Sequence, residues 1–197
     1  MMDLLKKFDY YDKITGMSEI GRRYFVINSF DGALTILGVL LGSYFAGLTN
    51  PSLIVTVGIG ASVAIGVSGL WGAFLTEKAE REREIKELEK VLHRKLEKTD
   101  IKKAHDFATI MIALIDSLSP FFVSLFILIP FFLLLLDQTI YPTNIAYYFS
   151  FALSILVFFL LGVFLGKISK KNIILTGLKM VSAGIACIII ISLLEHG

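Results

Sequence analysis

The sequence predicts an all-α integral membrane protein with five transmembrane helices and a cytoplasmic helical extension between the second and third. Three observations predict it. Hydrophobic residues make up 55% of the 197-residue chain and gather in long runs, giving a mean hydropathy of +0.75. Charged residues, at 18%, are bunched between those runs, whereas a soluble domain scatters about 25% of them along its length. Finally, eighteen of the nineteen Lys and Arg residues fall on one side of the membrane in a five-span topology.

A bilayer core takes about 20 apolar helical residues. Five runs meet that length: Tyr24 to Leu48, Leu53 to Leu75, Phe107 to Leu136, Asn144 to Gly166, and Asn172 to Leu194. The third is overlong and contains Pro120 and Pro130. Proline removes a backbone donor and clashes with the preceding turn, so this span is expected to kink or tilt. The chain thus divides into an amphipathic arm (1–23), spans one and two (24–75), a charged segment (76–106) and spans three to five (107–197). The arm, with Leu4, Leu5, Phe8, Tyr10 and Tyr11 among charges, is expected to lie along the membrane surface.

Orientation follows from the basic residues, which favour the cytoplasmic side. The arm, the charged segment and the loop holding Lys167, Lys170 and Lys171 carry all of them except Lys179. The reading is a multi-pass protein of the cell membrane, N-terminus cytoplasmic and C-terminus on the opposite side, in contact with membrane lipid. Topology accounts for the basic residues, so nucleic-acid binding has no support. The residues also form no Ser-His-Asp set, Cys-His cluster or phosphate-cradling glycine loop, so the chain is not expected to be an enzyme. The lone Cys187 reads as a small core residue.

From Thr76 to Leu96 the chain has strong helix formers and no Gly or Pro, so span two should run on unbroken. Glu77, Glu80, Glu84 and Glu87 share one helical face. Two readings stay open: a solvated helix laced by pairs such as Glu82 with Lys86, or a face that collects divalent cations through hard oxygen ligands. His93 reads as a surface residue.

Charges at bilayer depth cost about 3 kcal/mol each on insertion scales. Asp31, Asp116 and Lys179 lie about 10 to 13 Å into their spans at the helical rise. Their similar depth allows them to converge, as a structural ion pair or as part of an ion path. Asn28, Asp31, Thr35, Gly38 and Gly42 share one face of span one. Small residues form further stripes: Ser62, Gly66, Gly69 and Ala73 in span two, Gly162 and Gly166 in span four. Such stripes fit close helix packing.

The stretch FDGALTILGVLLGSYFAG in span one resembles the Asp-Gly motif of the vacuolar iron transporter family. The acidic helix after span two and the ending GVFLGKISKKNIILTGLKMVSAGIACIIIISLL resemble that family too. The resemblance implies export of ferrous iron or manganese from the cytosol in exchange for protons. The metal would be substrate rather than a permanently bound cofactor, and the assembly a homodimer with its pore between the first spans. It places Asp31 at the pore, Glu80, Glu84 and Glu87 as metal collectors, and Lys179 as the basic residue of the fifth span. Asn28 and Asp116 join Asp31 and Lys179 as candidates for pore lining and proton coupling. Ala64-Ile65 and Ser68-Gly69 depart from the family, which has a Ser-Met pair and a Gly-Glu there. The alternative from another class is a non-transporting membrane protein whose charged helix recruits a partner.

Overall fold

The computed structural model describes the backbone of residues 2–195 and the side chains of residues 5–194. Seven helices follow in order: α1 (Met2–Thr15), α2 (Met17–Phe45), α3 (Pro51–Leu92), α4 (Asp100–Ile127), α5 (Ile129–Leu136), α6 (Thr143–Ile168) and α7 (Ile173–Glu195). Five of them, α2, α3, α4, α6 and α7, are long and apolar enough to cross a membrane. No strand occurs among the described residues. The chain is an all-α, multi-pass membrane protein.

Span two and the charged segment form one unbroken helix of 42 residues, as the run of helix formers requires. It ends where His93 takes a left-handed backbone (φ 48°). There the Glu89 carboxylate accepts a hydrogen bond from the Leu96 N–H at 2.6 Å. The two prolines of span three behave differently. Pro120 is absorbed within α4, whereas the helix breaks at Leu128, between α4 and α5, just ahead of Pro130. With no N–H at position 130, the Phe131 and Phe132 N–H groups both turn to the Leu128 carbonyl, at 3.0 and 3.1 Å.

The chain forms two compact units, one of Met1–Phe25 with Gly66–Leu118, the other of Val26–Ile65 with Ser119–Gly197. In the first, Tyr11 and Met17 are buried with Ala104, Ala108 and Ile112 of α4. Tyr11 also meets the Phe107 ring at 5.5 Å between centroids. The arm therefore spends part of its apolar face inside its own unit, while Leu5 and Tyr10 stay exposed. Gly16, at φ +61°, makes the turn between α1 and α2 that a side chain would strain.

In the second unit, Ile36, Leu37 and Leu40 of α2 meet Leu128, Phe131 and Phe158 in a continuous core. The small residues are seats for neighbouring backbone. A methyl group on Gly162 would lie 2.6 Å from the Gly177 Cα, and one on Gly32 would lie 2.5 Å from the Pro120 Cα. At the end of the unit without basic residues, Tyr44 and Tyr148 share a hydrogen bond at 3.2 Å. Beside them Tyr147 donates to the Leu48 carbonyl at 3.0 Å. Such tyrosines suit the membrane–water interface.

In the loop between α5 and α6, Asp137 accepts hydrogen bonds from the Thr139 hydroxyl at 2.7 Å and its N–H at 2.8 Å. These bonds, the hydroxyl first, hold the carboxyl below its ordinary range. A depressed carboxylate stabilises the loop above its ordinary pKa and ceases to do so as pH falls through the lowered value. Thr139→Val should raise the Asp137 titration midpoint toward that of a free aspartate, read by carboxyl-carbon NMR. An unchanged midpoint would show that the hydroxyl bond is not made in solution.

Candidate functional site

Arg81 organises the polar cluster of the first unit. It is 4% exposed and lies on the inner face of α3. Glu77 and Glu84 flank it one helical turn away on either side, each with a carboxylate oxygen 3.5 Å from the guanidinium. Its Nη1 donates to the Thr15 carbonyl at the end of α1, at 3.2 Å. Tyr24 of α2 hydrogen-bonds Glu77. Along the same helix Arg83 repeats the pattern in solvent, 2.9 Å from Glu80 and 3.6 Å from Glu87, with all three exposed. The four glutamates are thus matched to two arginines, and the pair expected between Glu82 and Lys86 does not form among the described residues.

His105 of α4 is the element that sequence reading misses. It lies 21 positions from Glu84, so only the packing of α4 on α3 brings them together. Its Nδ1 is 3.3 Å from Glu84 Oε2, yet the geometry is not that of a hydrogen bond. Asp116, further along α4, is buried against Gly69, where a methyl group would lie 2.8 Å from its Oδ2. Among the described residues, no group of three or more His, Cys, Asp or Glu is placed to hold a metal ion.

The remaining candidates fall in the second unit. Asp31, Thr35 and Gly42 are exposed along α2, with Asn28 and Gly38 half-buried beside them. Lys179 of α7 is exposed as well. Neither Asp31 nor Lys179 forms an ion pair among the described residues. The ion pair that Lys179 could make with an aspartate is therefore not made among the described residues. Asp31, Lys179 and Asn28 remain on one unit, while Asp116 and the glutamates belong to the other.

No solved structure matches the chain. An uncharacterized protein of Methanocaldococcus jannaschii is 38% identical over 180 residues, covering 90% of each chain. The model of the Major Facilitator Superfamily matches residues 13–197. This corrects the resemblance to vacuolar iron transporters, and with it the expected export of iron or manganese against protons, because the matching family is a different one. The physical reason lies in what carried the resemblance. Gly32 of the Asp-Gly stretch seats α2 on Pro120, and Gly177 of the glycine-rich ending packs against Gly162 and Phe159. Close helix packing produces such patterns in any membrane bundle. The chain belongs to the Major Facilitator Superfamily.

Proposed function

We propose that the protein is a membrane transporter of the major facilitator type that moves a small polar solute, rather than an enzyme. The observation that supports this most is the family match across 13–197, which takes in all five candidate spans. In transporters of this class, substrate sites lie near the bilayer midplane between sets of helices. Asp31 suits such a site. An exposed carboxylate at that depth, facing lipid, costs about 3 kcal/mol on insertion scales, so another group or a water-filled path is needed there. A second copy of the chain placed against the same face of α2 supplies both. In this reading Asn28, Asp31 and Lys179 line or flank the path, and the N-terminus is cytoplasmic.

The test uses proteoliposomes on solid-supported membranes, screened with sugars, amino acids, organic anions and organic cations. At least one class should give a saturable signal. Asp31→Asn should reduce it by about tenfold or more, the loss of one charge-assisted contact, while leaving folding intact. A full signal from Asp31→Asn would remove Asp31 from the path, and no saturable signal for any class would sink the transport reading. In a Cys187→Ser background, Thr35→Cys should cross-link to a second copy; only monomer under oxidation would refute the paired α2 faces.

A further inference from the structure

The first unit holds a cavity of about 420 Å³ lined by Ile14 of α1, Glu84, Glu87, Leu88 and Val91 of α3, and His105 of α4. It lies on the charged continuation of α3, it includes neither Asp31 nor Lys179 in its lining, and neither the family match nor the transport reading assigns it a role. Its volume falls within the roughly 300 to 1,000 Å³ of small-molecule sites.

The lining has two halves. Ile14, Leu88 and Val91 offer a hydrocarbon wall. His105, also in the lining, is only 5% exposed, and its Nδ1 has no hydrogen-bond partner among the described residues. Burying a polar atom without a partner is unfavourable, so a site built this way is complete only when something fills it. With the imidazole proton on Nε2, Nδ1 is an acceptor, and it faces another acceptor, Glu84 Oε2, 3.3 Å away. What fits between two acceptors is a donor. Charge points the same way, because Arg81 is shared between two carboxylates, Glu77 and Glu84. The group of three is left with one net negative charge.

We infer that this cavity binds a small organic cation, a primary ammonium on an apolar body, with the ammonium held by His105 Nδ1 and Glu84. An ammonium brings three donors and one positive charge, which meets both requirements, and Glu87 at the rim can take the third donor. The apolar body lies along Ile14, Leu88 and Val91. A bare metal ion leaves that wall without a partner, and no three ligating side chains are placed to hold one among the described residues. The inference does not rest on the transport reading, and its test needs no flux.

The experiment is calorimetric titration of the full chain in lipid nanodiscs with phenethylammonium, its neutral isostere phenethyl alcohol, and manganous ion. Phenethylammonium should bind saturably and about tenfold or more tighter than the alcohol. Glu84→Gln and His105→Phe should each weaken it by about tenfold or more. Val91→Trp fills the cavity from a position 77% exposed, where a large side chain does not threaten folding, and should abolish binding. The inference fails if the wild-type chain does not bind phenethylammonium, if the alcohol binds equally well, or if Val91→Trp leaves binding unchanged. Manganous ion displacing phenethylammonium from the same site would reassign it to a metal and overturn the ammonium.

Discussion

Gly32→Ala is expected to destabilise the second unit by about 1 to 3 kcal/mol, toward the upper end of what one added carbon does in a packed core. The added methyl would lie 2.5 Å from the Pro120 Cα and 2.6 Å from the Pro120 carbonyl oxygen. Both are backbone atoms, so no rotamer change relieves the overlap and α2 must move off α4. Ser124, which donates to the Gly32 carbonyl at 3.1 Å, would lose that bond in the same movement. Gly58→Ala is the control. There the neighbours at 2.7 and 3.0 Å are the terminal methyls of Leu128, which can turn aside. The helix-propensity gain of alanine over glycine, about 1 kcal/mol, then offsets much of what repacking costs. Thermal unfolding in detergent should separate the two variants clearly. Equal midpoints would mean that α2 and α4 do not cross as closely as described. Pro120→Ala should not rescue Gly32→Ala, because the Cα and carbonyl oxygen remain in place.

The spans were legible because their signal is local. A run of about 20 apolar residues has few other homes, and the Lys and Arg residues mark its ends. The continuity of α3 was legible for the same reason, since nothing between Leu75 and Leu92 opposes a helix. Pro130 showed that span three would bend, but not that the break would come at Leu128 while Pro120 stayed inside α4. That outcome depends on Gly32 leaving room for the Pro120 backbone, which is a contact between helices. The candidate site was legible only in part. Glu84 could be singled out from its spacing, but its neighbour His105 lies on another helix, and no periodicity within one element reports on that.

The family assignment shows the same limit from the other side. Glycines four apart in α6, or Asp-Gly in α2, record that two helices approach closely. They do not record what passes between them. Gly162 and Gly177 need each other whatever the protein transports, and a resemblance resting on such positions transfers packing more securely than substrate. The departures at Ala64-Ile65 and Ser68-Gly69 were the more informative residues. Packing seldom demands a thioether or a second carboxylate, so their absence bears on chemistry.

Arg81→Met is expected to destabilise the first unit by about 3 kcal/mol, near the lower end for removing one partner of a buried ion pair. The lower end applies because Glu84 is 42% exposed and can turn to water, whereas Glu77, at 12%, cannot. Arg83→Ala should change stability by less than about 1 kcal/mol, since Arg83 and both its glutamates are solvated. In sequence the two arginines are near equivalents, each with glutamates three and four residues away. Only the fold turns one inward, where its guanidinium also reaches the Thr15 carbonyl. Chemical denaturation of the single variants, and of Arg81→Met combined with Glu77→Gln, tests this ordering. The double variant should recover part of the loss, because the damage lies in an uncompensated buried carboxylate rather than in a missing attraction. If Arg83→Ala proved as damaging as Arg81→Met, the inner face of α3 would not be packed as described. The cavity beside Glu84 would then lose the wall on which its ligand depends.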